Sequence, residues 1–176
     1  FYNSVVATFC HQLCNGQSPK IDQDGLLRLI HVDELCERII EAVRDSNNNS
    51  DYQVNPSEEC YVSDILSKLT SFKTLYLDQG IIPSLPDTFS VNLFNTFRSY
   101  IDHRSYFPFK LKQHADNRGV FVEMVKLEVG GQVSFSTTHT GITRGNHFHT
   151  RKIERFVVIK GKALIRLRKY NTDEIL

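Results

Sequence analysis

The densest chemistry in this chain lies between Gly141 and Gly161, where His147, His149 and Glu154 follow one another at short spacing. Alternate residues of a strand face the same side, so His147 and His149 are expected on one face and Phe148 on the other. Thr150, Arg151 and Lys152 then turn the chain, and Glu154 is expected on a returning strand beside the pair. Two imidazoles and a carboxylate converging from adjacent strands suit a divalent cation, zinc above all, and three ligands leave a position open for substrate. A bare His-x-His would be as much at home on a solvated strand. The glutamate and the flanking glycines favour a site.

A second cluster, Asp116-Asn117-Arg118-Gly119-Val120-Phe121-Val122-Glu123, sets an acid and a guanidinium two residues apart at the head of an apolar run. Alone it reads as an ordinary turn with a solvated ion pair.

Two kinds of periodicity must position these groups. Up to about residue 104 the pattern is helical. Val5, Val6, Phe9 and Leu13 form one face, with Asn15-Gly16 as a stop. Asp33 opens a second helix carrying Leu35, Cys36, Ile39, Ile40 and Val43, and Ser63 caps a third with Ile65, Leu66, Leu69 and Phe72. Phe89 to Ile101 makes the last, while residues 26–30 and 52–54 read as short strands around a polar loop at 47–51. After Pro108 the period becomes two, with strands expected at 120–127, 133–138, 156–160 and 163–169 and turns at Gly130-Gly131 and Gly161-Lys162. The fold class expected is α+β: an α-rich unit over residues 1–104, then an all-β sandwich or barrel over 105–176.

Composition narrows the function. Lys plus Arg is 21 and Asp plus Glu is 20, so the basic excess of a nucleic-acid-binding module is missing. No apolar run reaches the ~18 residues of a membrane span, and no signal peptide opens the chain. Cys10, Cys14, Cys36 and Cys60 contain no Cys-x-x-Cys pair, and Cys10 and Cys14, one helical turn apart, read as core thiols. A cytoplasmic protein is expected, with no nucleic-acid or membrane partner. The chain opens at Phe1 without Met and stops at Leu176, so it reads as the tail of one domain and the front of another.

The spacing Gly141-x5-His147-x-His149-x4-Glu154-x6-Gly161 resembles the first signature motif of the cupins at every position. That resemblance implies a jelly roll, here only its front part, and normally a fourth ligand from a later histidine. No histidine follows His149. The Asp116-x-Arg118-Gly119-x-Phe121-x-Glu123 core resembles the first substrate-binding strand of dTDP-4-dehydrorhamnose 3,5-epimerases and their sugar-nucleotide relatives. By that likeness Arg118 binds a diphosphate, Arg144 in Arg-Gly-x-His belongs to the same family pattern, and His147 is the general base beside a ketone. If His147 ligates a metal its lone pair is used, and His139 and Glu123 become the alternative bases, with the metal as Lewis acid on the enolate oxygen.

Along nearly its whole length the chain resembles the bifunctional capsular polysaccharide enzymes that join an extended short-chain dehydrogenase domain to a cupin and make UDP-2-acetamido-2,6-dideoxy-talose. Residues 1–10 look like the segment after the dehydrogenase active site, where an asparagine, here Asn3, faces the sugar nucleotide. Leu29-Ile30-His31-Val32-Asp33-Glu34-Leu35 looks like the strand and helix start that follow, with His31 and Glu34 departing from the usual pattern.

The resemblance implies C3 epimerisation of a UDP-4-keto-6-deoxy amino sugar in the cupin, followed by nicotinamide-dependent reduction at C4. It implies Asn3, Asp116, Arg118, Phe121, Arg144 and Asn146 as substrate-binding residues, a UDP-sugar as ligand and a homodimer as assembly. NAD or NADP would enter only through another domain, because the chain has no Gly-x-Gly-x-x-Gly. Two other classes remain open on the same residues: a metal-dependent cupin oxidoreductase, and a cupin serving as a non-catalytic dimerisation or binding module. The Arg118 and Arg144 pair favours a diphosphate substrate over the first.

Overall fold

In the computed structural model residues 4–45 and 52–176 are described; Asn3 and the polar loop at 47–51 lie outside them. The first half is built on three helices. Helix α1 (Val5–Cys14) starts where the Ser4 hydroxyl accepts from the Ala7 amide at 3.2 Å, and its apolar stripe buries Ala7, Phe9, Cys10 and Leu13. Opposite lie α3 (Val62–Phe72), with Val62, Ile65, Leu69 and Phe72 buried, and α4 (Thr88–Ser99), with Leu93, Phe94 and Phe97 buried. These side chains form one core, closed by Ile101 and by an edge-to-face pair of Phe72 and Phe94 rings 5.1 Å apart. Cys10 is fully buried in that core and burial pushes its thiol up to about 12; Cys14 is pushed up to about 11 for the same reason. Both behave as packing groups. Helix α2 (Val32–Arg44), by contrast, buries none of its residues fully.

Three local expectations need correction. The short strand falls at β2 (Glu58–Tyr61), not at residues 52–54. Its partner β1 (Leu26–Leu29) is four residues long, and the register Leu26↔Tyr61 to Leu29↔Glu58 uses all of it. Residues 52–54 therefore have no strand left to pair with. Helix α3 begins one residue before Ser63: the Asp64 carboxylate reaches back to the Tyr61 amide at 3.1 Å, and Asp24 holds both the Ser63 amide (2.9 Å) and its hydroxyl (2.8 Å). Helix α4 begins at Thr88 because the Asp87 carboxylate accepts from the Ser90 amide at 2.6 Å.

The second half holds a sheet centred on β5 (Gly119–Leu127). One edge of β5 carries β6 (Gln132–Ser136); the other carries β4 (Gln113–Asp116) along its first half and β3 (Ile81–Ile82) at its end. Strand β3 comes from the helical half and pairs in parallel with Lys126 and Leu127. Glu128 fastens this junction, its amide donating to the Ile82 carbonyl at 3.0 Å and its carboxylate accepting from the Ser84 amide at 2.7 Å. A short helix α5 (His103–Tyr106) leads from the core into this sheet.

Beyond Ser136 the expected strands at 156–160 and 163–169 do not form. Among the described residues the only further pairing is an isolated antiparallel bridge between Arg168 and Ile175. A strand exists as one side of a ladder, and of these residues only 167–169 have a neighbouring segment, 174–176, bonded through Leu167 and Leu176. The apolar side chains of the expected strands stay in solvent: Val157, Ile159 and Leu164 are 77–78% exposed, and Ile153 just before them is fully exposed. The fold is thus α+β, with a four-stranded sheet in the second half in place of the strands of a whole jelly roll.

Candidate functional site

Asp116 closes β4 and Gly119 opens β5, leaving Asn117 and Arg118 as a two-residue hairpin turn. The Asp116 carboxylate shapes it, accepting from the Arg118 amide at 2.8 Å and from its guanidinium Nε and Nη2 at 2.9 and 2.6 Å. The chain after β6 returns along this turn, with the Thr137 amide on the Val120 carbonyl (2.8 Å) and the His139 amide on the Arg118 carbonyl (2.9 Å). Arg144 then reaches back, Nη1 donating to the Thr137 carbonyl at 3.1 Å and Nη2 lying 4.0 Å from Asp116. Asp116, Arg118 and Arg144 are thereby gathered into one cluster, with the backbone of Thr137 and His139 bonded along it.

The Arg118 guanidinium, with the Arg118 amide and then Arg144, holds the Asp116 carboxyl down to about 2. A carboxyl depressed in the folded state adds stability above its unfolded value of about 4. That contribution is lost as the pH falls through 2. Carboxyl-detected NMR titration is expected to find the Asp116 midpoint near 2 and the hairpin intact at pH 4. An ordinary midpoint near 4 would show that the turn is not held by this pair.

The metal-type ligands come next. Gly145 (φ 98°) and Asn146 (φ 61°) are both left-handed immediately before His147. Extended pairing cannot pass through two such residues, so the expected strand over His147–His149 is absent, as is the hairpin partner under Glu154. The convergence survives by another route. Ligand atoms of His147, His149 and Glu154 lie within 4.8 Å of one another, the one such group of three among the described residues. The two imidazole centroids are 4.8 Å apart, and His149 Nε2 is 3.4 Å from Glu154 Oε1. Ligands about 2.1 Å from a tetrahedral ion stand roughly 3.4 Å apart, so this pair is already at ligating separation. Phe148 leaves the group and packs its ring against Tyr170 at 4.7 Å.

Of the other expected residues, Phe121 pairs with His114 and Ser136 in the middle of the sheet, and Glu123 stands opposite Ser134 beside a bulge between Glu123 and Val125. Asn146 accepts from Arg168 Nη2 at 3.3 Å. Asn3 lies outside the described residues. Two participants were missed. Arg168 is far along the chain and carried no local signal. Lys152, read only as part of a turn, places Nζ 2.5 Å from Glu154 Oε1. Its signal was the i, i+2 spacing, since alternate residues of extended chain share a side. The Lys152 ammonium, helped by the two imidazoles, holds the Glu154 carboxyl below its ordinary value.

The described chain is thus a helical half joined to a sheet, with two arginines at the sheet's first hairpin turn and a His-His-Glu group in the irregular chain beyond it. Residues 114–176 match the family described as the polysaccharide biosynthesis C-terminal domain. Over 97% of its length the chain is 32% identical to a UDP-2-acetamido-2,6-beta-L-arabino-hexul-4-ose reductase of Pseudomonas aeruginosa, of which it covers 46%.

Two crystal structures of the capsular polysaccharide assembling protein CapF from Staphylococcus aureus share 32% and 33% identity with it. They cover 99% of this chain and 48% and 51% of their own, with TM-scores of 0.74 and 0.78. A CapF structure with the inhibitor 3-isopropenyl-tropolone matches 84% of this chain and 44% of that one, at 31% identity and a TM-score of 0.70. The chain spans about half the length of these relatives. The resemblance to capsular polysaccharide enzymes read from the sequence is therefore real, and it runs through both halves. No helix among the described residues is long and apolar enough to cross a membrane.

Proposed function

We propose that this chain contributes to sugar-nucleotide modification for a capsular or surface polysaccharide, and that its sheet half epimerises C3 of a UDP-4-keto-6-deoxy amino sugar. The observation that carries the reading is the presence, within residues 116–154, of both a two-arginine cluster and a His147–His149–Glu154 group. Arg118 and Arg144 offer planar, permanently charged forks to a diphosphate. His147, His149 and Glu154 would hold a divalent cation, which when bound supplies Lewis acidity toward an enolate oxygen.

With His147 engaged as a ligand, the base is drawn from His139 and Glu123. His139 is preferred because its amide donates to the Arg118 carbonyl, which ties its backbone to the hairpin that carries Arg118. It takes the proton from C3, next to the ketone, and a proton drawn from solvent is delivered to the opposite face, so that C3 inverts and carries a solvent hydrogen. Reduction at C4 would follow on a nicotinamide domain, for which this sequence has no glycine fingerprint. The reading includes a homodimer, supported by the exposed apolar side chains between Ile153 and Leu167 that a second subunit would cover.

The test is hydrogen exchange at the reacting carbon. UDP-2-acetamido-2,6-dideoxy-4-keto-hexose, incubated in deuterium oxide with the protein and zinc, should gain deuterium at C3. His139→Ala should slow this by about 100-fold or more, the usual worth of a general base, and Glu123→Gln by less. Zinc-loaded protein that leaves C3 unlabelled would overturn the epimerase reading and leave a binding module.

A further inference from the structure

The cation nearest to Glu154 is one that the chain supplies itself. Lys152 Nζ is 2.5 Å from the oxygen, Glu154 Oε1, that also faces His149 Nε2 at 3.4 Å. The Glu154 side chain is 27% exposed and that of His149 33%, whereas the Lys152 side chain is 57% exposed. The lysine is thus more open to solvent than either His149 or Glu154 and can withdraw into it. An ammonium at this position uses the lone pair that a divalent ion would need, and its charge would repel that ion at close range.

We propose that Lys152 is a built-in placeholder for the metal: its ammonium neutralises Glu154 while the site is empty, and it must swing out for a divalent cation to bind. This rests on the metal-site reading above. It assigns to Lys152 a function opposite in sign to that of a ligand or a supporting residue, because removing it strengthens binding. The lysine's contact is with one carboxylate oxygen at the rim of the group, so its departure leaves His147, His149 and Glu154 free to close on an ion. The site gains selectivity by this arrangement. A weakly held or singly charged ion gains less from Glu154 than the ammonium does, and only a cation that also engages both imidazoles displaces it.

Zinc and cobalt(II) titrations of the full chain, followed by calorimetry and by the cobalt visible spectrum, separate the possibilities. Lys152→Ala and Lys152→Gln should each bind about three- to tenfold more tightly than the unmodified chain, as expected for deleting a partly exposed competing charge. Lys152→Arg should stay near the unmodified affinity. Equal or weaker binding by both neutral variants, with the unmodified chain binding normally, would overturn the placeholder and leave the metal site standing. An unmodified chain that binds neither ion, and behaves like His147→Ala, would remove the metal site and the placeholder together.

Discussion

Gly119→Ala is expected to unfasten the hairpin that carries Arg118 and to loosen everything tied to it. Gly119 has φ +139°, a backbone region that residues with a side chain essentially do not adopt. A Cβ there would lie 2.2 Å from the Thr137 carbonyl oxygen and 2.8 Å from its carbon. Both of those atoms belong to the backbone, so no side chain can swing aside to make room. The strain of the conformation alone costs about 1–3 kcal/mol. The displaced strand then forfeits the bonds from Thr137 to Val120 and from His139 to Arg118, which flank Gly119 on either side.

Amide exchange at Thr137 and His139 should therefore accelerate well over tenfold in the variant. Residues of the helical core, such as Leu69 and Phe97, should keep their protection. Gly130→Ala is the informative comparison. Its φ is +94° and nothing lies within 4 Å of the added carbon, so it carries the backbone strain without the collision. If the two variants exchange alike at Thr137, close contact at Gly119 is not what holds the cluster together. The functional consequence follows from the same bonds. Arg144 reaches the Thr137 carbonyl, so pushing that carbonyl away releases the second arginine as well as the first.

What could be read in advance divides along the range of the interactions. The stripes of α1 and α3 were legible because helical periodicity is local: of the residues read as their faces, Phe9, Leu13, Ile65, Leu69 and Phe72 are buried, and Val5, Val6 and Leu66 pack partly buried against them. The start of α3 was misplaced because Asp24, thirty-nine residues earlier, takes both polar groups of Ser63. Strand β2 was misplaced for a related reason: pairing is decided by which partner is available, and β1 offers only four places.

The site shows the same division. The residue types and spacing of His147, His149 and Glu154 announced a metal-type group, and these three do converge. Their geometry was derived from a strand that does not exist there, because a left-handed Asn146 leaves no mark in a sequence. The Asp116–Arg118 ion pair was legible as a turn. That Arg144 joins it depends on a carbonyl of Thr137 held across the sheet, and no local pattern encodes such a contact.

The largest effect on ligand binding is expected at the imidazoles. His147→Ala and His149→Ala should each weaken zinc binding by more than about 100-fold, since even groups that only hydrogen-bond to a metal ligand are worth about 10–100-fold. Each variant leaves two protein ligands, too few to hold an ion against water in a half-exposed site. Neither change touches the core, because the helical half buries its apolar residues without any contribution from residues 140–176. The thermal midpoint of that half should therefore stay within the scatter of surface substitutions.

Phe148→Ala supplies the opposite control. Its ring lies against Tyr170 and not among the ligands, so zinc affinity should change little although an aromatic contact is lost. Calorimetric titration reads all three variants on one scale. Undiminished zinc binding by both histidine variants would place the ion elsewhere and return the two imidazoles to the role of solvated side chains. Loss of binding in both, with Phe148→Ala unaffected, would locate the ion between His147 and His149. Deuterium exchange at C3 of the sugar then decides what it does. If that exchange fell in step with zinc occupancy, the ion would belong to the chemistry; if it persisted without zinc, the ion would only hold the loop in place and the arginine cluster would carry the reaction with a free histidine base.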